Sequence, residues 1–200
     1  MPFKIIKISW ILLFSSVLIT AQSQEMDYSW PLPEKWKKEV ILFPLDFAPT
    51  LQYPGVEEVH FTPGWMSDSI SEQRWSYLFY WKLDTLLNAD TKQLKTDLLA
   101  YFNGLTTSVY TKTKSNLTFQ PPSIQEFKKL SDEGLYRGKI TIMDVFFSLN
   151  PINLNFKISA SQYPKINKTI ICFEFSPQSF DHPVWKELDK QKVEFKLLSL

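Results

Sequence analysis

Residues 139–176 read KITIMDVFFSLNPINLNFKISASQYPKINKTIICFEFS, and this stretch decides the expected fold. Apolar and polar side chains alternate along much of it, which is the period of a half-buried β-strand. The alternation breaks at Asn150-Pro151 and at Tyr163-Pro164, where turn-forming residues replace strand formers. The stretch therefore predicts a meander of three consecutive strands over residues 139–147, 152–162 and 168–176.

The same alternation predicts which side chains of the meander face the core. The second and third strands each have one clearly apolar side, which includes Phe156 in the second and Phe173 in the third. We expect the side of the first strand that carries Met143 and Phe147 to join them. A slip by one residue would turn polar side chains toward that core. The opposite side then carries an acid–lysine–acid row, either a plain ion-pair ladder or a polar patch lining a ligand cleft: Asp144, Lys157 and Glu174.

A helix is predicted upstream of the meander. Apolar side chains recur at helical spacing from Leu94 onward, and Asp90 with Gln93 has the arrangement of a capping box. Gly104 is a natural stop, so we expect this helix over residues 91–103. Residues 106–136 are weakly patterned and are expected to form loop with one short strand.

The segment that precedes these elements is rich in proline. Residues 25–64 contain six prolines, which fix φ and remove backbone donors, so long helices are disfavoured there. We expect residues 22–64 to be extended and to wrap the core, with strands near residues 39–45 and 56–62. The aromatic-rich residues 74–83 favour a further strand, with a helix as the alternative.

These elements together predict an α+β fold, a mainly antiparallel sheet with helices packed on it. A last helix is expected to start near residues 181–183 and to run to about Leu197. The expected organisation is one domain over residues 25–200, which includes the proline-rich segment. We expect Cys172 to be a small buried hydrophobe in this core, because it lies in an apolar run. We expect no reactive thiol there, because no neighbouring cation would activate it.

The N-terminus has the layout of a secretory signal peptide. Lys4 and Lys7 precede an apolar run over residues 8–20, and small and polar residues follow from Ala21. The run is shorter than the roughly 20 residues of a membrane-spanning helix. We therefore expect residues 1–21 to be a cleaved signal, with an uncleaved anchor as the alternative. The mature protein would be periplasmic or secreted, with no stable membrane span.

Composition narrows the classes of function. The formal net charge of +1 argues against a nucleic-acid partner, which usually requires a basic excess. One cysteine excludes an internal disulfide and a cysteine-cluster zinc site, and two histidines restrict metal and hydrolytic sites. The common catalytic and nucleotide-binding motifs are absent from the sequence. We expect no cofactor and no metal.

The loop between residues 64 and 74 is the best ligand candidate. It joins two expected strands, and loops carry binding residues more often than the scaffold does. The candidate ligand-binding residues are His60, Trp65, Asp68 and Arg74. The neighbouring aromatics of residues 75–81 are expected to fill the core, although exposed rings of this kind also stack on ligands.

Several segments resemble a family of exported bacterial proteins with no assigned function. They are Phe43 to Pro49, Pro63-Gly64-Trp65, Arg74 to Tyr77, and Phe175 to Trp185. The resemblance implies export and a single domain, and it implies no catalytic residue. The order of strands and helices is also similar, at fold level, to the Mog1/PsbP-like α-β-α sandwich, and fold alone does not define function.

The sequence thus favours an exported, non-catalytic binding or accessory protein of the cell envelope. Its partner would be an envelope protein or a small-molecule ligand. A third hypothesis, a structural role in an envelope complex, is hard to separate from the binding role by sequence. The alternative is an envelope hydrolase that uses acids and one histidine. An open pocket where His60 and Arg74 converge with an acid would favour the enzyme, and a flat aromatic surface would favour binding.

Overall fold

The computed structural model describes residues 32–67, 71–113 and 119–192. In chain order its elements are β1 (Lys37–Leu42), β2 (Gly55–Phe61), β3 (Tyr77–Leu83), α1 (Thr91–Thr113), β4 (Ser123–Ser131), β5 (Leu135–Met143), β6 (Pro151–Tyr163), β7 (Lys168–Ser176) and α2 (Val184–Lys190). Within the described part, the strands form one seven-stranded sheet in the order β1-β2-β3-β7-β6-β5-β4, and every neighbouring pair is antiparallel. The predicted α+β class is confirmed.

One face of the sheet packs against α1 and the segment before β2. Aromatic rings from the central strands line this face, and the predicted aromatic strand is β3. Leu94, Leu98 and Phe102 of α1 are almost fully buried against them. Each such side chain contributes roughly 1.5–3 kcal/mol on burial. The strands contribute fully buried rings to this face: Phe79, Trp81, Phe156, Phe173 and Phe175.

The second face of the sheet is covered by α2 over its central strands. Val184, Trp185 and Leu188 pack against a small cluster on β3 and β7 that includes Cys172. Cys172 is buried, as expected. The last helix is predicted to run to about Leu197, but α2 ends at Lys190 and residues 191–192 are not helical. Residues 193–197 lie outside the described residues.

Helix α1 runs ten residues beyond its predicted end, to Thr113. Asp90 caps its start as predicted, since Asp90 Oδ1 accepts a hydrogen bond of 2.8 Å from the Gln93 backbone N–H. Gly104 does not stop the helix. A Cβ at Gly104 would lie 2.0 Å from the carbonyl oxygen of Phe47, so the glycine lets the helix approach the preceding segment closely.

The stretch expected to be mostly loop contains regular structure. Residues 106–113 belong to α1, the nine residues of β4 follow, and β5 begins at Leu135. The meander therefore has four strands rather than three. The predicted strands near residues 39–45 and 56–62 correspond to β1 and β2, shifted by a few residues.

The predicted orientation is right for β6 and β7 and wrong for β5. Lys157 and Glu174 lie directly opposite each other on the second face, as expected. On β5, however, Ile140 and Ile142 face the main core. The prediction counted residues 144–147 as strand, but β5 ends at Met143 and those residues form a turn. Asp144 is buried in that turn and takes no part in the row with Lys157.

The expected signal peptide, residues 1–21, lies outside the described residues. No helix in the described ranges combines the length and apolar character that crossing a membrane requires.

Candidate ligand-binding site

Two loops lie at the same end of the sheet. The β2–β3 loop covers residues 62–76, and the β5–β6 loop covers residues 144–150. β2 and β5 run in the same direction in this antiparallel order, so the loops that follow them lie at the same end of the strands. We call the apolar side chains of these loops the aromatic end: Trp65, Met66, Trp75, Phe146, Phe147 and Leu149.

The β2–β3 loop is held by hydrogen bonds across its base. The Thr62 hydroxyl donates to the Ser76 carbonyl at 2.7 Å, and the Gly64 backbone N–H donates to Gln73 Oε1 at 3.0 Å. Trp75 adopts a left-handed backbone conformation, with φ of 55°. A bulky residue in that region is strained and persists only where its surroundings enforce it.

The aromatic end is a continuous cluster of rings. The Trp65 ring centroid lies 4.5 Å from that of Phe61, 5.9 Å from that of Trp75 and 5.5 Å from that of Phe146. The Trp75 and Phe146 centroids are also 5.5 Å apart. These separations suit edge-to-face and offset ring contacts, so Phe146 joins the two loops through both indoles.

An ion pair also joins the two loops. Arg74 Nη2 lies 3.1 Å from Oδ2 of Asp144, which is buried, while about 29% of the Arg74 side chain is exposed. The guanidinium also lies 4.2 Å from the centroid of the Phe147 ring. The Asp144 carboxylate further accepts bonds from the backbone N–H groups of Phe147 and Ser148 and from the Ser148 hydroxyl. Both loops are thereby held in one arrangement.

The surface of the aromatic end is apolar and its interior contains unpaired donors. Met66, Phe146 and Leu149 are 59%, 39% and 48% exposed. The indole nitrogens of Trp65 and Trp75, whose rings contact Phe146, are buried and have no hydrogen-bond partner among the described residues. Buried donors are usually paired, because leaving one unpaired costs about 1–3 kcal/mol. A ligand acceptor that entered the cluster would relieve that cost.

His60 is placed in a different environment from Trp65 and Arg74. It lies on the second face of the sheet, where His60 Nε2 is 2.6 Å from Glu58 Oε1. Burial opposes ionisation of Glu58, but hydrogen bonds to His60 and Lys82 outweigh it and lower the Glu58 pKa to about 2. His60 Nδ1 is buried and has no hydrogen-bond partner in the described ranges, and the ring contacts Tyr80.

The structure thus brings together Trp65 and Arg74 of the four predicted residues. Asp68 lies outside the described residues. Asp144 and Phe146 also belong to the site, and the sequence interpretation assigned both of them to a strand. The local signal was present, because an aspartate followed by Ser148 and by Asn150-Pro151 is typical of a turn. No group of three or more potential metal ligands occurs among the described residues.

A second buried polar cluster lies within the main core. Glu57 is fully buried, with Oε2 2.7 Å from Trp81 Nε1 and Oε1 3.1 Å from the Tyr101 hydroxyl. Burial raises the pKa of Glu57 to about 8, although the two donated hydrogen bonds oppose the shift. Nearby on α1, buried Asp97 accepts hydrogen bonds from Tyr53 and Gln93.

Comparison with known proteins adds little to this geometry. No protein-family model matches the chain, so the resemblance to an exported bacterial family gains no support. No curated protein matches it either. Among solved structures, the chain is weakly similar to the Ran-binding protein Mog1p of Saccharomyces cerevisiae. The TM-score is 0.32 and the sequence identity 8%, over 76% of this chain and 83% of that chain.

Proposed function

We propose that this chain is an exported, non-catalytic binding protein and that the aromatic end is its ligand-contact surface. The observation that carries the proposal is the exposed apolar surface of Met66, Phe146 and Leu149 beside two buried indoles whose N–H groups have no partner among the described residues, with Phe146 in contact with both. Export is supported by the signal-like layout of residues 1–21. The aromatic end, with Arg74 and Asp144 beside it, matches the usual composition of binding sites, which are largely apolar with a few polar groups.

The contacts between described residues of the two loops support this role. The Arg74–Asp144 ion pair and the shared contacts of Phe146 connect them before any ligand arrives. A surface that is already ordered loses less conformational entropy on binding. The exposed apolar groups therefore remain available for ligand contact at little additional cost.

The placement of His60 favours binding over hydrolysis. The hydrolase hypothesis requires His60 and Arg74 to converge on one acid, and the binding hypothesis does not. Arg74 pairs with Asp144 in the loops, whereas His60 pairs with Glu58 on the face that α2 partly covers. The loops instead carry exposed apolar side chains, as expected of a binding surface.

Binding of the neutral dye Nile red tests the aromatic end. Phe146→Ala should weaken dye binding about tenfold, since a lost aromatic contact of about 1.4 kcal/mol gives that factor. Met66→Ser alters a more exposed side chain and should weaken binding about threefold. Leu42→Ala is the matched control, because Leu42 is 73% exposed on the distant edge strand β1. Equal affinities for all four proteins would refute this site.

A further inference from the structure

Among the residues that the structure describes, only part of the second face of the sheet is covered. Helix α2 packs over β3 and β7, where Leu78, Tyr80 and Cys172 contact it. The same face of β4, β5 and β6 is largely polar, and the outward side chains of β4 and β5 there are exposed. This half consists of residues within the strands, whereas the aromatic end consists of loop residues, and it takes no part in the proposed function.

Three cations lie side by side on this uncovered half. Lys128 of β4 pairs in register with Arg137 of β5, and Arg137 pairs in register with Lys157 of β6. Side chains directly opposite each other have Cβ atoms about 5 Å apart, so all three share one row across the strands. We call these residues the cationic row. Glu174 is next in register, but it is fully buried and Lys192 Nζ lies 2.5 Å from it.

Within the described part of the chain, the cationic row forms an ion pair only at its β6 end, and the acid nearest to Lys128 on β4, Glu126, pairs with Lys139 instead. Lys157 Nζ lies 3.1 Å from Asp189 and 4.9 Å from the ring centroid of Trp185. Arg137 lies over the ring of Phe180, with 4.7 Å to the centroid, and this contact adds no negative charge. Within the described ranges, neither Lys128 nor Arg137 has an ion-pair partner.

Such a row is unfavourable for the isolated chain. Like charges directly opposite on neighbouring strands destabilise a sheet. An anion placed over Lys128 and Arg137 would convert this repulsion into attraction. The row is therefore better explained by a negatively charged partner than by its contribution to folding.

Apolar side chains beside the row indicate which anion fits. Leu135 is two residues from Arg137 on the same face and is 39% exposed. Leu130, at the irregular end of β4, is 55% exposed. An acidic polypeptide offers carboxylates and apolar side chains together, whereas a polysaccharide or free phosphate offers only the charge. The outer edge of β4 is also the end of the sheet, so an extended segment can reach the row from that side.

We propose that the cationic row, with Leu130 and Leu135, is a docking surface for an acidic polypeptide segment that carries apolar side chains. The proposal goes beyond the aromatic end and does not depend on it. Association should weaken as salt rises, because Lys128 and Arg137 are exposed and their charges are screened.

Fluorescence anisotropy with a labelled glutamate–tyrosine copolymer tests the surface at low and physiological salt. Lys128→Gln and Arg137→Gln should each weaken binding about threefold, and the double variant about tenfold, as expected for exposed charges. Lys92→Gln, an exposed lysine on α1, is the matched control and should leave affinity unchanged. Nile red binding should be the same in all of these variants.

Thermal unfolding separates weaker binding from weaker folding. Lys128→Gln should raise Tm by about 1–2 °C at low salt, because it removes like-charge repulsion while it weakens binding. Absence of copolymer binding, or variants that bind as tightly as wild type, would overturn the proposal. Tighter binding of heparin than of the copolymer would also overturn it, since the partner would then be a polysaccharide.

Discussion

Glu57 places a carboxyl group inside an aromatic core. Its oxygens are close to the Trp81 indole N–H and the Tyr101 hydroxyl, and no cation lies among its hydrogen-bond partners. Burial penalises the charged form more than the two donated bonds favour it, which raises the pKa from 4.5 to about 8. Near neutral pH, the folded protein therefore holds this proton while the unfolded chain has released it.

This difference makes the stability of the protein depend on pH. Between about pH 5 and 8 the native state binds more protons at Glu57 than the unfolded state, so stability should fall as pH rises. The slope from one such group is about 1.4 kcal/mol per pH unit. Glu57→Gln should flatten this dependence and unfold at higher denaturant concentration than wild type at pH 8.

Urea titrations at several pH values measure the effect. Glu133→Gln changes an exposed carboxyl in the β4–β5 turn and should leave the slope as in wild type. Parallel pH profiles for wild type and Glu57→Gln would show that Glu57 ionises normally in the folded protein.

At the scale of elements, α1 depends on close approach as much as on its apolar stripe. Gly104 lies in the middle of the helix, where glycine is less favourable than alanine by about 1 kcal/mol. Its value is the space that it leaves for the Phe47 carbonyl, 2.0 Å from where a Cβ would lie. The segment before β2 can therefore pack this close to α1 only because residue 104 has no side chain.

Gly104→Ala should accordingly destabilise the protein despite its better helix propensity. We expect a loss of about 1–3 kcal/mol, as for other substitutions that overfill a packed contact. The neighbouring Asn103→Ala is the control, because Asn103 is exposed and alanine favours the helix. Chemical denaturation measures both. A Gly104→Ala variant as stable as Asn103→Ala would mean that α1 and the Phe47 segment pack loosely.

At the scale of the whole molecule, the two faces of the sheet have different roles. Helix α1 covers one face with a large aromatic core, whereas α2 covers only the centre of the other. The proposed contact surfaces lie where cover is incomplete, at the loop end and over β4–β6. The cationic row lies outside the main core, whereas the buried indoles of the aromatic end, Trp65 and Trp75, belong to it.

Export is the whole-molecule property that the proposed function requires. Protein recovered from the expressing cell should lack residues 1–21, or up to Ser23 at most, because the apolar run is followed by small and polar residues. Intact-mass spectrometry of the periplasmic or secreted fraction measures this directly. A mass that still includes residues 1–20 would contradict cleavage, and retention in the cytoplasm would contradict export.

The sequence by itself determined the features that depend on local pattern. Alternation predicted the strands of the meander and the orientation of β6 and β7, and the Asp90–Gln93 pair predicted the start of α1. Aromatic density predicted that Trp81 and its neighbours fill the core. These features follow from periodicity and from hydrogen bonds between residues a few positions apart, so a short window of sequence contains them.

Only the tertiary structure decided the features that depend on distant partners. Arg74 pairs with Asp144 seventy residues away, and Gly104 matters because of the Phe47 backbone. The orientation of β5 depended on where its hairpin begins, which also placed Arg137 rather than Asp144 beside Lys157. Register and close approach are set by the packing of separate elements, and no local pattern of side chains specifies them.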